Sequence, residues 1–125
     1  MKNEKKVLII EDEPSLLRAL KDKLERNGLS VFYAVNGDEG LRMVKKEKPN
    51  LVLLDLILPK MTGETVLKRM KEDKNLQNIP VVVLSAKADE ATVVNCLNNL
   101  GASDYMVKSD FTLEQVLDKI NKYVN

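Results

Sequence analysis

Short apolar runs alternating with stretches of helical spacing constrain this chain more than any other feature. Val7 to Ile10, Val31 to Val35, Leu51 to Leu54, Val81 to Leu84 and Tyr105 to Val107 read as strands, and the segments between and after them repeat apolar residues at helical intervals. The first helix is predicted to begin near Pro14, to run through Leu17, Leu20 and Leu24, and to stop at Asn27-Gly28. In the last helix Leu113, Val116, Leu117, Ile120 and Val124 share one face, and Thr112 with Gln115 has capping-box spacing. Asn36-Gly37, Lys48-Pro49-Asn50 and Gly101 mark further breaks.

The runs at Val7, Leu51 and Val81 are continuously apolar, as strands covered on both faces are, whereas those at Val31 and Tyr105 mix in polar residues and read as edges. Strands alternating with helices imply a parallel sheet with right-handed crossovers. With the second and fifth strands outermost, the expected fold is a single flavodoxin-like, doubly wound α/β sheet of order 2-1-3-4-5. At 125 residues one domain spanning 1–125 is expected, large enough to bury roughly two-thirds of the unfolded chain's surface.

Composition narrows the chemistry. The chain has no histidine and a single cysteine, Cys96, which is expected to pack inside the fourth helix. Imidazole catalysis, an internal disulfide and a cysteine zinc site are therefore excluded. A net charge of +1 gives no overall attraction for nucleic acid or anionic membrane, and direct binding to either is not expected. The basic start, with its Lys2 to Lys6 run, reads as a solvated end. Its apolar continuation is too short for a signal-peptide core, so a cytoplasmic protein is expected.

In a parallel sheet all strands end on one edge. Glu11 and Asp12 follow the first strand, Asp55 the third, Ser85 the fourth and Lys108 the fifth, so three carboxylates, a hydroxyl and an ammonium converge there. Clustered carboxylates repel unless a cation intervenes, and Mg²⁺, with Mn²⁺ as a substitute, suits an all-oxygen site. Lys108 and Ser85 can each engage a phosphoryl oxygen, and Asp55 can act as nucleophile toward phosphorus.

Four segments then resemble the signatures of response-regulator receiver domains. They are Ile10-Glu11-Asp12-Glu13-Pro14, Leu53-Leu54-Asp55 through Thr62-Gly63, Leu84-Ser85-Ala86-Lys87, and Gly101-Ala102-Ser103-Asp104-Tyr105-Met106-Val107-Lys108. The resemblance covers essentially the whole chain. It implies Asp55 as phosphoacceptor, Asp12, Asp55 and the Ile57 backbone carbonyl as metal ligands, and Glu11 acting through a bound water. It further implies that Lys108 pairs with the phosphoryl group, that Ser85 and Tyr105 switch, and that the surface of helix four, strand five and helix five responds. A sensor histidine kinase or a histidine phosphotransfer protein would be the donor, docking at Leu16, with a phosphorylation-dependent dimer as one output. Ser109 departs from the family's usual proline after the lysine, which leaves the Lys108–Ser109 bond cis or trans. Ile57 and Lys87 occupy positions that flank the path of hydrolytic water in that family, and Ile57 is expected to shield the acyl phosphate. Two alternatives stand beside this reading. One is a pseudo-receiver that binds partners without phosphorylation. The other is a haloacid-dehalogenase-like hydrolase, which would need a second Asp where Ile57 stands.

Overall fold

The computed structural model describes residues 4–125. Strands β1 (Lys6–Ile10), β2 (Ser30–Ala34), β3 (Leu51–Leu54), β4 (Val81–Ser85) and β5 (Asp104–Val107) alternate with helices α1 (Pro14–Arg26), α2 (Gly37–Glu47), α3 (Gly63–Glu72), α4 (Glu90–Val94) and α5 (Leu113–Val124). All four strand pairings are parallel, in the order β2-β1-β3-β4-β5, as the polarity of the runs implied. Lys6 pairs with Ser30 as the first residue of β1, so that end of the basic run is held in the sheet, whereas Lys2 lies outside the described residues. The second strand sits one residue earlier than its apolar run suggested, because the Ser30 amide bonds the Lys5 carbonyl and starts the ladder.

Side chains of the inner strands divide by parity between two layers. Val7, Ile9, Leu51, Leu53, Val82 and Leu84 meet Leu17, Leu20 and Leu24 of α1 and Val116, Leu117 and Ile120 of α5. On the opposite face Leu8, Ile10, Val52, Leu54, Val81 and Val83 meet Leu41 and Val44 of α2 and Val66, Leu67 and Met70 of α3. β1, β3 and β4 are buried at nearly every position, so the sheet is a rigid plate whose one edge carries the polar residues.

Local chemistry starts and stops the helices. Pro14 occupies the first turn of α1, and Gly28 takes φ +85°, a conformation that costs glycine little. Asn36, Thr62 and Asp89 cap α2, α3 and α4 by accepting from the amides of Glu39, Thr65 and Thr92. The Thr112–Gln115 capping box forms in both directions. The fourth helix departs from expectation: after one regular turn it widens into a π-helical segment, Asn95–Asn99, which holds the fully buried Cys96.

Candidate functional site

The register fixes which side chains can meet. Ile10 pairs with Leu54 across β1 and β3, and the Asp55 amide donates to the Ile10 carbonyl at 3.0 Å. Glu11, Asp12 and Asp55 therefore emerge side by side, and one carboxylate oxygen from each lies within 4.8 Å of the others. Asp55 and Glu11 are buried, at 5% and 2% exposure, while Asp12 is exposed at the mouth. Ser85, the last residue of β4, is fully buried, and its Oγ accepts from the Lys87 amide at 3.3 Å.

Lys108 enters from the end of β5. Its Nζ lies 3.0 Å from both Asp55 Oδ2 and Glu11 Oε1, and 3.7 Å from Glu13 Oε1. Burial alone would lower the lysine's pKa, but the bonds it donates to Glu11 and Asp55 outweigh that and raise it. Burial also pushes the Glu11 carboxyl above its usual value, against the bonds from Lys108 and the Glu13 amide. Glu11 is thus held in a place where its charge is unwelcome, with one shared ammonium to offset it. An all-oxygen donor set of this spacing and excess negative charge fits a hard divalent cation, and no soft or imidazole ligand competes.

The remaining expected residues take distinct places. Ile57 is exposed, at 57%, and its amide donates to Asp55 Oδ1 at 3.3 Å. Tyr105 is half-buried, its hydroxyl donating to the Lys87 carbonyl at 2.7 Å, and burial pushes its pKa up to about 12. Leu16, which the resemblance implies as the docking position, is partly buried and packs against the core layer that includes α1 and α5. With Leu20, Leu84, Phe111 and Lys108 it lines a small depression of about 50 Å³ beside the acidic cluster. The Lys108–Ser109 bond is trans, and Lys108 opens a short 3₁₀ turn to Asp110.

Sequence reasoning missed two contributors. Glu13 adds a further carboxylate to Lys108, and Gly63 lets α3 press against the strand that carries Asp55. A Cβ on Gly63 would collide with the Asp55 carbonyl oxygen and lie 2.6 Å from the Leu56 Cα. The cap-then-glycine order of Thr62-Gly63 was the available signal.

The family model for the response regulator receiver domain matches residues 7–121. The chain belongs to the response regulator receiver domain family. Receiver domains of this family are signalling switches, and the acidic cluster is consistent with a phosphorylation site. The receiver chain is 41% identical over 104 residues to the alkaline phosphatase synthesis transcriptional regulatory protein PhoP of Bacillus subtilis, covering 83% of this chain and 42% of that protein. It is 38% identical over 122 residues to the transcriptional regulatory protein CrdR of Helicobacter pylori, covering 98% and 56%. The receiver thus spans about half the length of these relatives. Among solved structures it resembles a CheY-like receiver domain protein of Methanospirillum hungatei, with TM-score 0.89, 29% identity and coverage of 98% and 94%. It also resembles the BeF3-activated receiver domain of Klebsiella pneumoniae RstA, with TM-score 0.88, 26% identity and coverage of 97% and 99%. Among the described residues no helix is long and apolar enough to cross a membrane.

Proposed function

We propose that Asp55 is the phosphoacceptor of a phosphorelay switch and that residues 1–125 form one receiver unit. The observation that carries this reading is the contact of Lys108 with Asp55, 3.0 Å apart, beside two further carboxylates on one sheet edge. An Asp55 oxygen attacks phosphorus, its new O–P bond forming as the donor's bond to phosphorus breaks and the leaving group departs with the electron pair. The Lys108 ammonium moves from carboxylate to phosphoryl oxygen, and the Ser85 hydroxyl, which accepts from the Lys87 amide at 3.3 Å, turns to donate to another.

Asp12, Asp55 and the Ile57 carbonyl would hold Mg²⁺, or Mn²⁺ in its place, with Glu11 acting through a water. The ion supplies charge neutralisation for carboxylates and phosphoryl oxygens alike. Once Ser85 turns, the loop after β4 and Tyr105 repack, and the α4–β5–α5 surface changes shape. Ile57, exposed beside Asp55, shields the acyl phosphate from water. A sensor histidine kinase or histidine phosphotransfer protein supplies the phosphoryl group, docking over Leu16, and the exchange takes place in the cytoplasm. The transcriptional regulators matched over half their length support an output carried by further sequence or by a partner, with dimerisation of the α4–β5–α5 face as one response. Catalysis is confined to the domain's own phosphorylation and slow reset.

The test is intact mass after incubation with acetyl phosphate and Mg²⁺. One added phosphoryl group, absent in Asp55→Asn, is expected. Uptake unchanged in Asp55→Asn would end this assignment, and turnover of many donor molecules per minute would favour a hydrolase.

A further inference from the structure

We propose that Lys87 is a second phosphoryl-directed cation of this site and that Glu64 holds it in reserve. The inference rests on phosphorylation of Asp55 as set out above. Glu64 sits in the first turn of α3, directly after Gly63, whose amide donates to the Leu56 carbonyl at 2.9 Å. A Cβ on Gly63 has no room against Asp55 and Leu56, so the start of α3 lies directly against the backbone of Asp55.

Lys87 is fixed from the other side. Its amide donates to Ser85 Oγ at 3.3 Å, and its carbonyl accepts from Tyr105 at 2.7 Å, so its backbone is tied to both groups proposed to switch. Its ammonium lies 3.9 Å from Glu64 Oε2, with the two side chains 39% and 31% exposed. A pair this long and this wet is weak and easily exchanged.

The charge balance says what it exchanges for. Among the described residues Lys108 is the one cation paired with Glu11, Glu13 and Asp55. Turning the Asp55 carboxylate into an acyl phosphate replaces one negative charge by about two, and adds three acceptor oxygens to that already acidic edge. Lys108 together with a divalent ion still leaves Glu11, Asp12, Glu13 and the acyl phosphate with an excess of negative charge. Lys87 follows Ser85 by two residues where β4 ends on that edge, and its ammonium has only a loose partner. Release from Glu64 to a phosphoryl oxygen also pulls on the loop that Tyr105 grips.

The experiment measures phosphorylation rate with acetyl phosphate in the unaltered chain, Glu64→Gln, Lys87→Gln and the double variant. Both side chains are partly exposed and neither change opens a cavity. Glu64→Gln is expected to raise the rate about twofold to fivefold, the range set by the strength of a partly exposed pair. Lys87→Gln is expected to lower it, and Glu64→Gln is expected to add nothing once Lys87 is gone. Side-chain amine NMR gives an independent readout: beryllofluoride should shift the Lys87 Nζ resonance, and Glu64→Gln should mimic part of that shift beforehand. Equal effects of Glu64→Gln with and without Lys87, or a Lys87 resonance blind to beryllofluoride, overturn the proposal while the phosphoacceptor reading stands. A chain that takes up no phosphoryl group at all overturns both.

Discussion

The Tyr105 hydroxyl donates to the Lys87 carbonyl at 2.7 Å, joining the edge strand β5 to the loop that leaves β4. A half-buried phenol on an exposed strand edge thereby controls a backbone segment two residues from Ser85.

Tyr105→Phe keeps the ring packed and removes only this bond. The expected loss is about 1 kcal/mol of stability. Amide exchange at residues 86–89 should accelerate while the β1 and β3 amides stay protected; unchanged exchange in that loop would show that the phenol does not restrain it.

Mg²⁺ should raise the melting temperature of the unphosphorylated chain. At ten times its Kd a ligand that binds only the folded state adds about 1.4 kcal/mol, or about 5 °C for a domain of this size. Calorimetry with and without EDTA checks this, and Asp12→Ala should abolish the shift.

Lys108→Met leaves Glu11 and Asp55 buried with no ammonium beside them. Since Lys108 is itself about one-fifth exposed, the expected cost in EDTA is about 1–3 kcal/mol rather than that of a fully buried pair. Added Mg²⁺ should restore part of it, a rescue that loss of packing alone would not show in urea titrations.

Gly63→Ala drives a methyl into the Asp55–Leu56 backbone, where nothing flexible can yield. A loss of about 2–4 kcal/mol is expected by urea unfolding. Gly28→Ala meets no neighbour within 4 Å and pays only for its positive φ, so it should cost less.

Asp104 supplies the acid dependence. Burial alone would raise its carboxyl, but bonds from Lys119 at 3.0 Å, the Tyr105 amide and Tyr123 outweigh it and hold its pKa below the usual value. A depressed folded-state pKa means stability present above the unfolded value and lost as pH falls through the folded one. Asp104→Asn should therefore lower the melting temperature at pH 7, and the difference from the unaltered chain should vanish under strong acid.

The strand order was legible because covered strands and edge strands differ in composition: Val7 to Ile10 has no polar residue, while Tyr33 and Asp104 stand on the outer strands. The site followed from topology alone, since parallel strands must bring Glu11, Asp55, Ser85 and Lys108 to one edge. Contacts decided by side-chain reach were not legible. Glu64 and Lys87 belong to different elements and carry no pattern that pairs them, and Glu13 looked like any residue before a helix. The π-helical turn was hidden too, because Asn95 to Asn99 shows no period that separates it from a regular helix. Ser109 left the isomer of the preceding bond open, and only the backbone path decided it.

The groups of the acidic edge project from the finishing ends of β1, β3, β4 and β5, and at the opposite end of the sheet the chain turns into β2, β3 and β5 at Asn27-Gly28, Lys48–Asn50 and Gly101. The molecule is thus polar in an engineering sense: one rim gathers the acidic cluster and Lys108, and the other, among the described residues, gathers reversals of chain direction beside Glu4, Lys5 and Asn125. A reporter peptide spliced after Gly28 would sit a full strand length from Asp55, marking the domain without entering its chemistry.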